Sequence, residues 1–270
     1  MVDTHVHLLS RQFNRDRGSA IERAFQAGNE FLVEVATDLP TSEGAAKLAQ
    51  RFEGIFAAVG VHPHDAMTFD DKVLQTLERL ADEPRVVAIG ETGLDFYRDL
   101  SPRDVQKRVF AEQISLARRK RLPLIIHIRN AYHEALDIID QEKAFEVGGV
   151  LHCFSGDAAS AERAVGLGFS LGFGGTITYA GSGSSRLAST LPLKSMVLET
   201  DCPYLSPEPH RQERNEPAYV SLVLDCLAKL RNVPREKVEE LTSLNAHELF
   251  GIRKTQARTR PGRVDNKDSG

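Results

Sequence analysis

The feature that most restricts the fold is a repeat of pattern rather than of residues. Eight short apolar runs, near residues 2, 31, 55, 86, 124, 150, 169 and 196, are each followed by a helical segment. Ile55-Phe56-Ala57-Ala58-Val59-Gly60-Val61 is apolar throughout, which fits a strand covered on both faces of a parallel sheet. Helices are expected from Ser19 to Gly28, from Thr41 or Ser42 to Arg51, from Asp70 to Ala81, from Ser101 to Arg121, from Pro217 to Arg231 and from Arg235 to Phe250. Ser101 reads as an N-cap, with Pro102 at the first helical position and Asp104 at the third. Eight alternating β and α units in about 250 residues match an α/β chain folded as a single-domain (β/α)8 TIM barrel. An open doubly wound sheet fits less well, because His5-Val6-His7 stands where a glycine-rich nucleotide loop would begin. The barrel is expected over 1–252, with 253–270 a basic, disordered tail.

Composition removes several classes. No apolar run approaches ~20 residues, so no membrane-spanning helix is expected. Asp3, His5 and His7 occupy the place where the apolar part of a signal peptide would build up. The three cysteines (Cys153, Cys202, Cys226) are odd in number and lack zinc-finger spacing, which suggests free thiols in a reducing cytoplasm. Cys153 and Cys202 read as small core residues. The net charge of −4 is uneven: six Lys/Arg against two Asp give 253–270 a charge of +4 and leave −8 on the body. An acidic body argues against broad electrostatic binding of nucleic acid, so a polyanionic substrate would have to be held by metal ions and a few basic groups. Arg118-Arg119-Lys120-Arg121 is expected to complement a helix dipole at the far end of the barrel. No feature calls for an obligate protein partner.

The chemistry lies in what ends the strands. Six of the nine histidines (His5, His7, His62, His64, His127, His152) fall at C-terminal strand ends, as do Glu91 and Asp201. In a parallel barrel those ends converge on one rim, where active sites are built. In an extended segment His5 and His7 share a face. Imidazole and carboxylate ligands suit Zn, Mn, Fe or Co, and Mg where positions stay open. Five or six ligands exceed the needs of one tetrahedral ion, which favours two divalent ions ~3.5–4 Å apart bridged by a carboxylate. Glu91, on the fourth strand and across from His-x-His, is the natural bridge. Such a centre supports hydrolysis of phosphodiesters, amides or esters. No Gly-x-Ser-x-Gly is present for a serine nucleophile, and strand alternation should turn Cys153 away from the face of His152.

The stretches Asp3-Thr4-His5-Val6-His7, Gly60-Val61-His62-Pro63-His64, Gly90-Glu91-Thr92-Gly93-Leu94-Asp95-Phe96, Tyr97-Arg98-Asp99, His127-Ile128-Arg129, His152-Cys153-Phe154-Ser155-Gly156, Glu199-Thr200-Asp201-Cys202-Pro203-Tyr204-Leu205, Arg214-Asn215-Glu216-Pro217 and Asn245-Ala246 run in order through the chain. With them the sequence resembles the TatD-like metal-dependent deoxyribonucleases of the amidohydrolase superfamily. The resemblance implies that His5, His7 and Asp201 hold one ion, that Glu91 bridges, and that His127 and His152 hold the second. It implies that Asp201 acts as base towards water, while His62 and His64 face the substrate phosphate. It implies a DNase that shortens DNA, single-stranded or at 3′ ends, in the 3′ to 5′ direction with Mg, Mn or Zn. Hydrolysis of amide or ester bonds in small substrates or aminoacyl-tRNA is the alternative. The sequence departs from the family pattern at Asn130, which replaces the usual Asp. It departs again at Arg211-Gln212-Glu213-Arg214, which replaces Arg-Gly-Lys-Arg, and in the loop 9–17, which lacks the usual acid.

Further residues have paired readings. Asp95 and Arg98 either orient ligands or substrate or form a loop-anchoring ion pair. Arg129 either contacts phosphate or closes a rim salt bridge. Asn215 and Glu216 read as an N-cap and a first-turn acid. Phe13, Phe96, Tyr97 and Tyr204 are candidates for base stacking, with buried packing as the default. With only Met1 and Val2 ahead of Asp3, the first strand is expected to be weakly anchored.

Overall fold

The computed structural model describes residues 1–253, so the expected tail lies outside the described residues except for Arg253. Eight strands appear where the apolar runs place them: β1 (Asp3–Val6), β2 (Leu32–Val35), β3 (Ile55–Val59), β4 (Val86–Asp95), β5 (Leu124–Arg129), β6 (Gly149–Leu151), β7 (Phe169–Phe173) and β8 (Met196–Leu198). All pair in parallel and in chain order. Closure between β8 and β1 comes just past the strand ends. There Val6 and Cys202 form a bridge, His7 N–H donates to Cys202 O, and Asp201 N–H donates to His5 O. The last strand and the first are thus fastened where the chemistry-bearing residues sit.

The helices between the strands are α1 (Arg17–Gln26), α2 (Leu39–Arg51), α3 (Asp71–Leu80), α4 (Arg103–Lys120), α5 (Tyr132–Gln141), α6 (Ala158–Gly166) and α7 (Gly183–Thr190), with α8 (Val220–Arg231) and α9 (Arg235–Phe250) after β8. Strand alternation divides the core. One apolar cluster joins Val33, Phe56, Ile125, Val150 and Val197 to Phe250 of α9. A larger cluster packs strand residues such as Leu32, Ile55 and Leu124 against the helices. Because Ile125, Val150 and Val197 share the first cluster, alternation puts His127, His152 and Glu199, two residues on, on that same inner face. No helix among the described residues is long and apolar enough to cross a membrane.

Several local expectations change. The cap of α2 is Asp38, which exchanges bonds with Thr41 in a capping box, so the helix begins before Thr41. Ser101 does not cap α4: its hydroxyl donates to His64 O and accepts from Met67 N–H, tying two rim loops together. Asn215 is not an N-cap either. It is fully buried and donates to Thr200 O and Tyr204 O, bracing the loop after β8. Glu216 pairs instead with Arg23 and Arg214. Helix α4 buries two glutamines. Gln113 satisfies both backbone groups of Val61, and Gln106 accepts from Asp95 N–H, so the helix fixes the loops that carry His62 and Asp95. The basic run at the end of α4 is largely neutralised, by Glu146, Glu78 and Asp82.

The start of the chain is firmly held, contrary to expectation. Met1 and Val2 are buried, and the Met1 ammonium meets Glu239 at 2.9 Å and Glu30 at 3.4 Å. Asp3 is fully buried and accepts from Thr200 N–H at 2.9 Å, Thr200 O–H at 2.7 Å and His5 N–H at 3.3 Å. Asp3→Ala leaves three buried donors without an acceptor and is expected to cost about 2–4 kcal/mol. Urea unfolding followed by circular dichroism should show the midpoint fall accordingly; an unchanged midpoint would mean that the barrel closes without this side chain.

Candidate metal centre

Six of the sequence-selected side chains meet at the rim around one carboxylate. Glu91 lies inside β4 and is almost fully buried. Its two oxygens face different groups. Oε1 is 2.9 Å from His152 Nε2, 3.0 Å from His127 Nδ1 and 3.5 Å from His62 Nε2. Oε2 is 3.5 Å from His5 Nε2 and 3.7 Å from His7 Nε2. Asp201 completes the second side, with Oδ1 at 3.3 Å from His7 Nε2 and 3.8 Å from His5 Nε2. His5 and His7 bring their Nε2 atoms to 3.1 Å from each other, and the His5 ring stacks on His152 at 3.9 Å between centroids.

For four of the rings, the groups behind them decide which nitrogen is left to act. His7 Nδ1–H donates to Val35 O at 2.8 Å, which leaves Nε2 as the acceptor in the neutral ring. His127 Nε2 meets Asp95 Oδ2 at 3.1 Å, so its Nδ1 turns to Glu91. His152 Nδ1 faces Glu199 Oε1 at 3.6 Å, behind the ring. His62 is the exception: its Nδ1 accepts from His64 N–H at 3.1 Å. The neutral His62 ring therefore carries its proton on Nε2 and offers a donor, not a lone pair, to the site.

Two buried acids behind the histidines went unassigned in the sequence. Glu199 accepts from Cys153 N–H at 2.5 Å and leaves Oε2 without a partner. A Cβ at Gly172 would collide with this carboxylate, so only glycine leaves room for it. Glu34, in the middle of β2, accepts from Leu8 N–H and Leu9 N–H at 2.7 and 3.0 Å and holds the chain just past His7. Burial pushes the Glu34 carboxyl up to about 7 against the opposing effects of His7 and the two N–H groups. Glu199 adjoins Asp201 in a stretch already singled out; Glu34 gave only the weak signal of a lone acid in an apolar strand.

Other expectations are refined. Asp95 is not paired with the Arg98 guanidinium. Its Oδ1 accepts the backbone N–H groups of Tyr97 and Arg98, and its Oδ2 meets His64 Nε2 at 2.8 Å as well as His127. Burial alone would raise the Asp95 pKa, but these bonds hold the carboxyl well below its usual range. Among the described residues Arg129 closes no rim salt bridge; its guanidinium lies over the Tyr97 ring at 4.0 Å. Cys153 is not turned into the core: at φ +46° it leaves strand geometry and lines the same cleft as His152. Burial and the nearby carboxylates push its thiol well up, which makes it a poor nucleophile. Cys202 is fully buried, as expected. Arg214 has its guanidinium engaged by Asp16, Glu216 and Gln12 O, so it is spent on tying loops together.

The site opens into a cleft of about 640 Å³ lined by these histidines and acids together with Arg98, Arg129 and Tyr204. Charges set the protonation. Burial favours neutral rings, and it lowers His5 and, strongly, His62. At His7 the Asp201 hydrogen bond and the charges of Asp201, Glu91 and Glu34 overcome burial and raise the pKa to about 9. Asp95 and Glu91 likewise raise His127, Glu91 and Glu199 raise His152, and the histidines hold Glu91 and Asp201 low despite burial. The carboxylates thus create a potential that retains protons on lone-pair atoms. A divalent cation satisfies the same potential, and the groups His5–His7–Glu91, His5–His152–Asp201 and His62–Glu91–His127 each bring their ligand atoms within 4.8 Å of one another. The donor set therefore fits a metal ion, with the tautomer of His62 favouring a role beside the ion.

A parallel barrel with histidines and acids gathered on its C-terminal rim defines the class of metal-dependent barrel hydrolases. The model of the family described as TatD related DNase matches residues 2–251. An uncharacterized metal-dependent hydrolase, YabD, of Bacillus subtilis is 40% identical over 93% of this chain and 99% of its own length. The 3′-5′ ssDNA/RNA exonuclease TatD of Klebsiella pneumoniae is 35% identical over 93% and 98%. The crystal structure of YJJV, a TatD homolog from Escherichia coli K12, superposes with a TM-score of 0.89 at 32% identity over 94% of this chain and 98% of that one. The chain belongs to the TatD family and is a metal-dependent hydrolase.

A metal ion that took His7 Nε2 as a ligand would have to displace the proton this ring holds below about pH 9. Affinity for Mn²⁺ or Zn²⁺ is therefore expected to rise as pH increases towards 9. Calorimetric titration at pH 7.5 in buffers of different ionisation enthalpy should show net proton release; buffer-independent heats would contradict this protonation pattern.

Proposed function

We propose that this hydrolase is a DNase that shortens single-stranded DNA or 3′ ends in the 3′ to 5′ direction, using two divalent ions (Mg, Mn or Zn). The observation that carries the reading is the division of Glu91, with Oε1 towards His127 and His152 and Oε2 towards His5 and His7. One carboxylate shared between two donor groups is the arrangement a two-metal phosphodiesterase requires. His5, His7 and Asp201 would hold one ion, His127 and His152 the other, with Glu91 common to both. Bound there, divalent cations supply Lewis acidity that activates water near neutral pH and offset the charge of a phosphoryl group.

The chain's own residues supply the rest. Asp201, kept ionised by His7 and its neighbours despite burial, takes the proton of the attacking water. His62, neutral with Nε2–H directed into the site, donates to a substrate phosphoryl oxygen. His64, fixed by Asp95, stands next to it. Arg98 and Arg129 at the cleft wall compensate phosphate charge on an otherwise acidic body. The family relatives named as 3′-5′ ssDNA/RNA exonucleases support the substrate class. Free thiols at all three cysteines suit a cytoplasmic setting.

One observation favours the alternative, hydrolysis of an amide or ester bond in a small substrate or aminoacyl-tRNA. Arg214, in the loop that departs from the family pattern, is saturated by Asp16 and Glu216 and adds nothing to phosphate binding. The discriminating assay uses 3′- and 5′-labelled oligonucleotides with Mg, Mn or Zn. Metal-dependent shortening from the 3′ end is expected, abolished by chelator and reduced at least about 100-fold in Asp201→Asn and Glu91→Gln. Unchanged turnover in both variants, or activity on esters and amides alone, would overturn the assignment.

A further inference from the structure

We propose that Tyr97, backed by the Arg129 guanidinium, is a stacking platform for a nucleobase of single-stranded substrate, an inference that rests on the nuclease reading above. The four rim aromatics separate cleanly in the structure. Phe13 is fully buried beneath Arg214, whose guanidinium lies 4.3 Å from the ring. Phe96 is half-buried, with Arg103 over it at 4.5 Å. Tyr97 and Tyr204 are 59% and 52% exposed.

A ring left this far in water contributes little to folding, because hydrophobic stabilisation scales with the area removed from solvent. The backbone of Tyr97 is nevertheless fixed. Its N–H donates at 2.9 Å to Asp95, the same carboxylate that holds His64 and His127. The ring is therefore registered to the site by one shared acid. Arg129 comes from the end of β5, two residues beyond His127, and sets its guanidinium 4.0 Å from the Tyr97 centroid. Among the described residues neither Arg129 nor Arg98 has a carboxylate partner. The combination of an open π face with guanidinium groups free of carboxylate partners matches a nucleotide, which brings a flat base and an anionic phosphate together.

The surroundings agree. Of the eight large apolar side chains exposed among the described residues, Leu100, Tyr204 and Leu205 line this cleft, and Met67 and Tyr97 lie in the loops after β3 and β4, with Tyr97 joined to the cleft wall by its contact with Arg129. Exposed apolar groups concentrated at one mouth mark a binding surface. A small polar substrate would gain nothing from them; unstacked bases would. The platform favours single strands, since a base in a duplex already has both faces stacked. It tolerates any sequence, since every base has a π face.

The test is a cycle between the ring and the base. Wild type, Tyr97→Ala and Tyr97→Phe are assayed on 5′-labelled single-stranded oligonucleotides carrying one abasic residue at successive positions from the 3′ end. In wild type and Tyr97→Phe, the abasic residue at one position should raise KM roughly tenfold, the loss expected for one base–aromatic stack. Tyr97→Ala should raise KM on intact substrate by the same factor with kcat little changed, and the abasic residue should then add nothing. Penalties that add, or a wild-type KM in Tyr97→Ala, would overturn the platform while leaving the nuclease reading in place. A wild-type enzyme that shortens no oligonucleotide with any of the metals would overturn that reading and the platform with it.

Discussion

The structure turns on one buried carboxylate surrounded by imidazoles. Glu91 has His127 and His152 within 3.0 Å of one oxygen, and His5 and His7 within 3.7 Å of the other. An ionised carboxylate in such a place is tenable only when its charge is met, and here it is met by rings that also carry lone pairs. The crowding that holds Glu91 and Asp201 ionised also holds protons on His7, His127 and His152. Protons and divalent cations compete for one potential, so metal affinity and protonation state are a single property of the site.

Directing the rings falls to acceptors behind them. Val35 O accepts from His7 Nδ1–H, Asp95 accepts from His127 Nε2–H, and Glu199 stands behind His152. Such outer partners set tautomer and orientation. They are in turn held by the fold: Asp95 by Gln106 on α4 through its backbone N–H, and Glu199 by the space that Gly172 leaves. Asp3, Thr200 and Asn215 fasten β1 to the loop after β8, which keeps Asp201 against His5 and His7. The barrel therefore supplies geometry at two removes from the chemistry.

Much of this was legible in the sequence because it is periodic or local. Apolar runs at regular spacing mark the eight strands, and polar residues at their ends mark the rim. What escaped depends on contacts distant in the chain or on a break in local rules. Asp95 and Arg98 look like a sequence-local ion pair, yet β4 runs ten residues and carries Asp95 onto the inner rim. Ser101 and Asn215 have the composition of helix caps, but buried loop carbonyls claim their side chains. Alternation should send Cys153 to the face opposite His152; a positive φ ends the alternation there. Glu34 and Glu199 reveal a role only when strands far apart in sequence come together.

The central claim is that Glu91 joins two ions across the rim. Loading the metal-free protein with Mn²⁺ and recording its electron paramagnetic resonance tests this directly. Two equivalents should give the multiline spectrum of an exchange-coupled pair, lost in Glu91→Gln. A six-line spectrum of isolated Mn²⁺ at every stoichiometry, saturating at one ion per chain, would contradict the account.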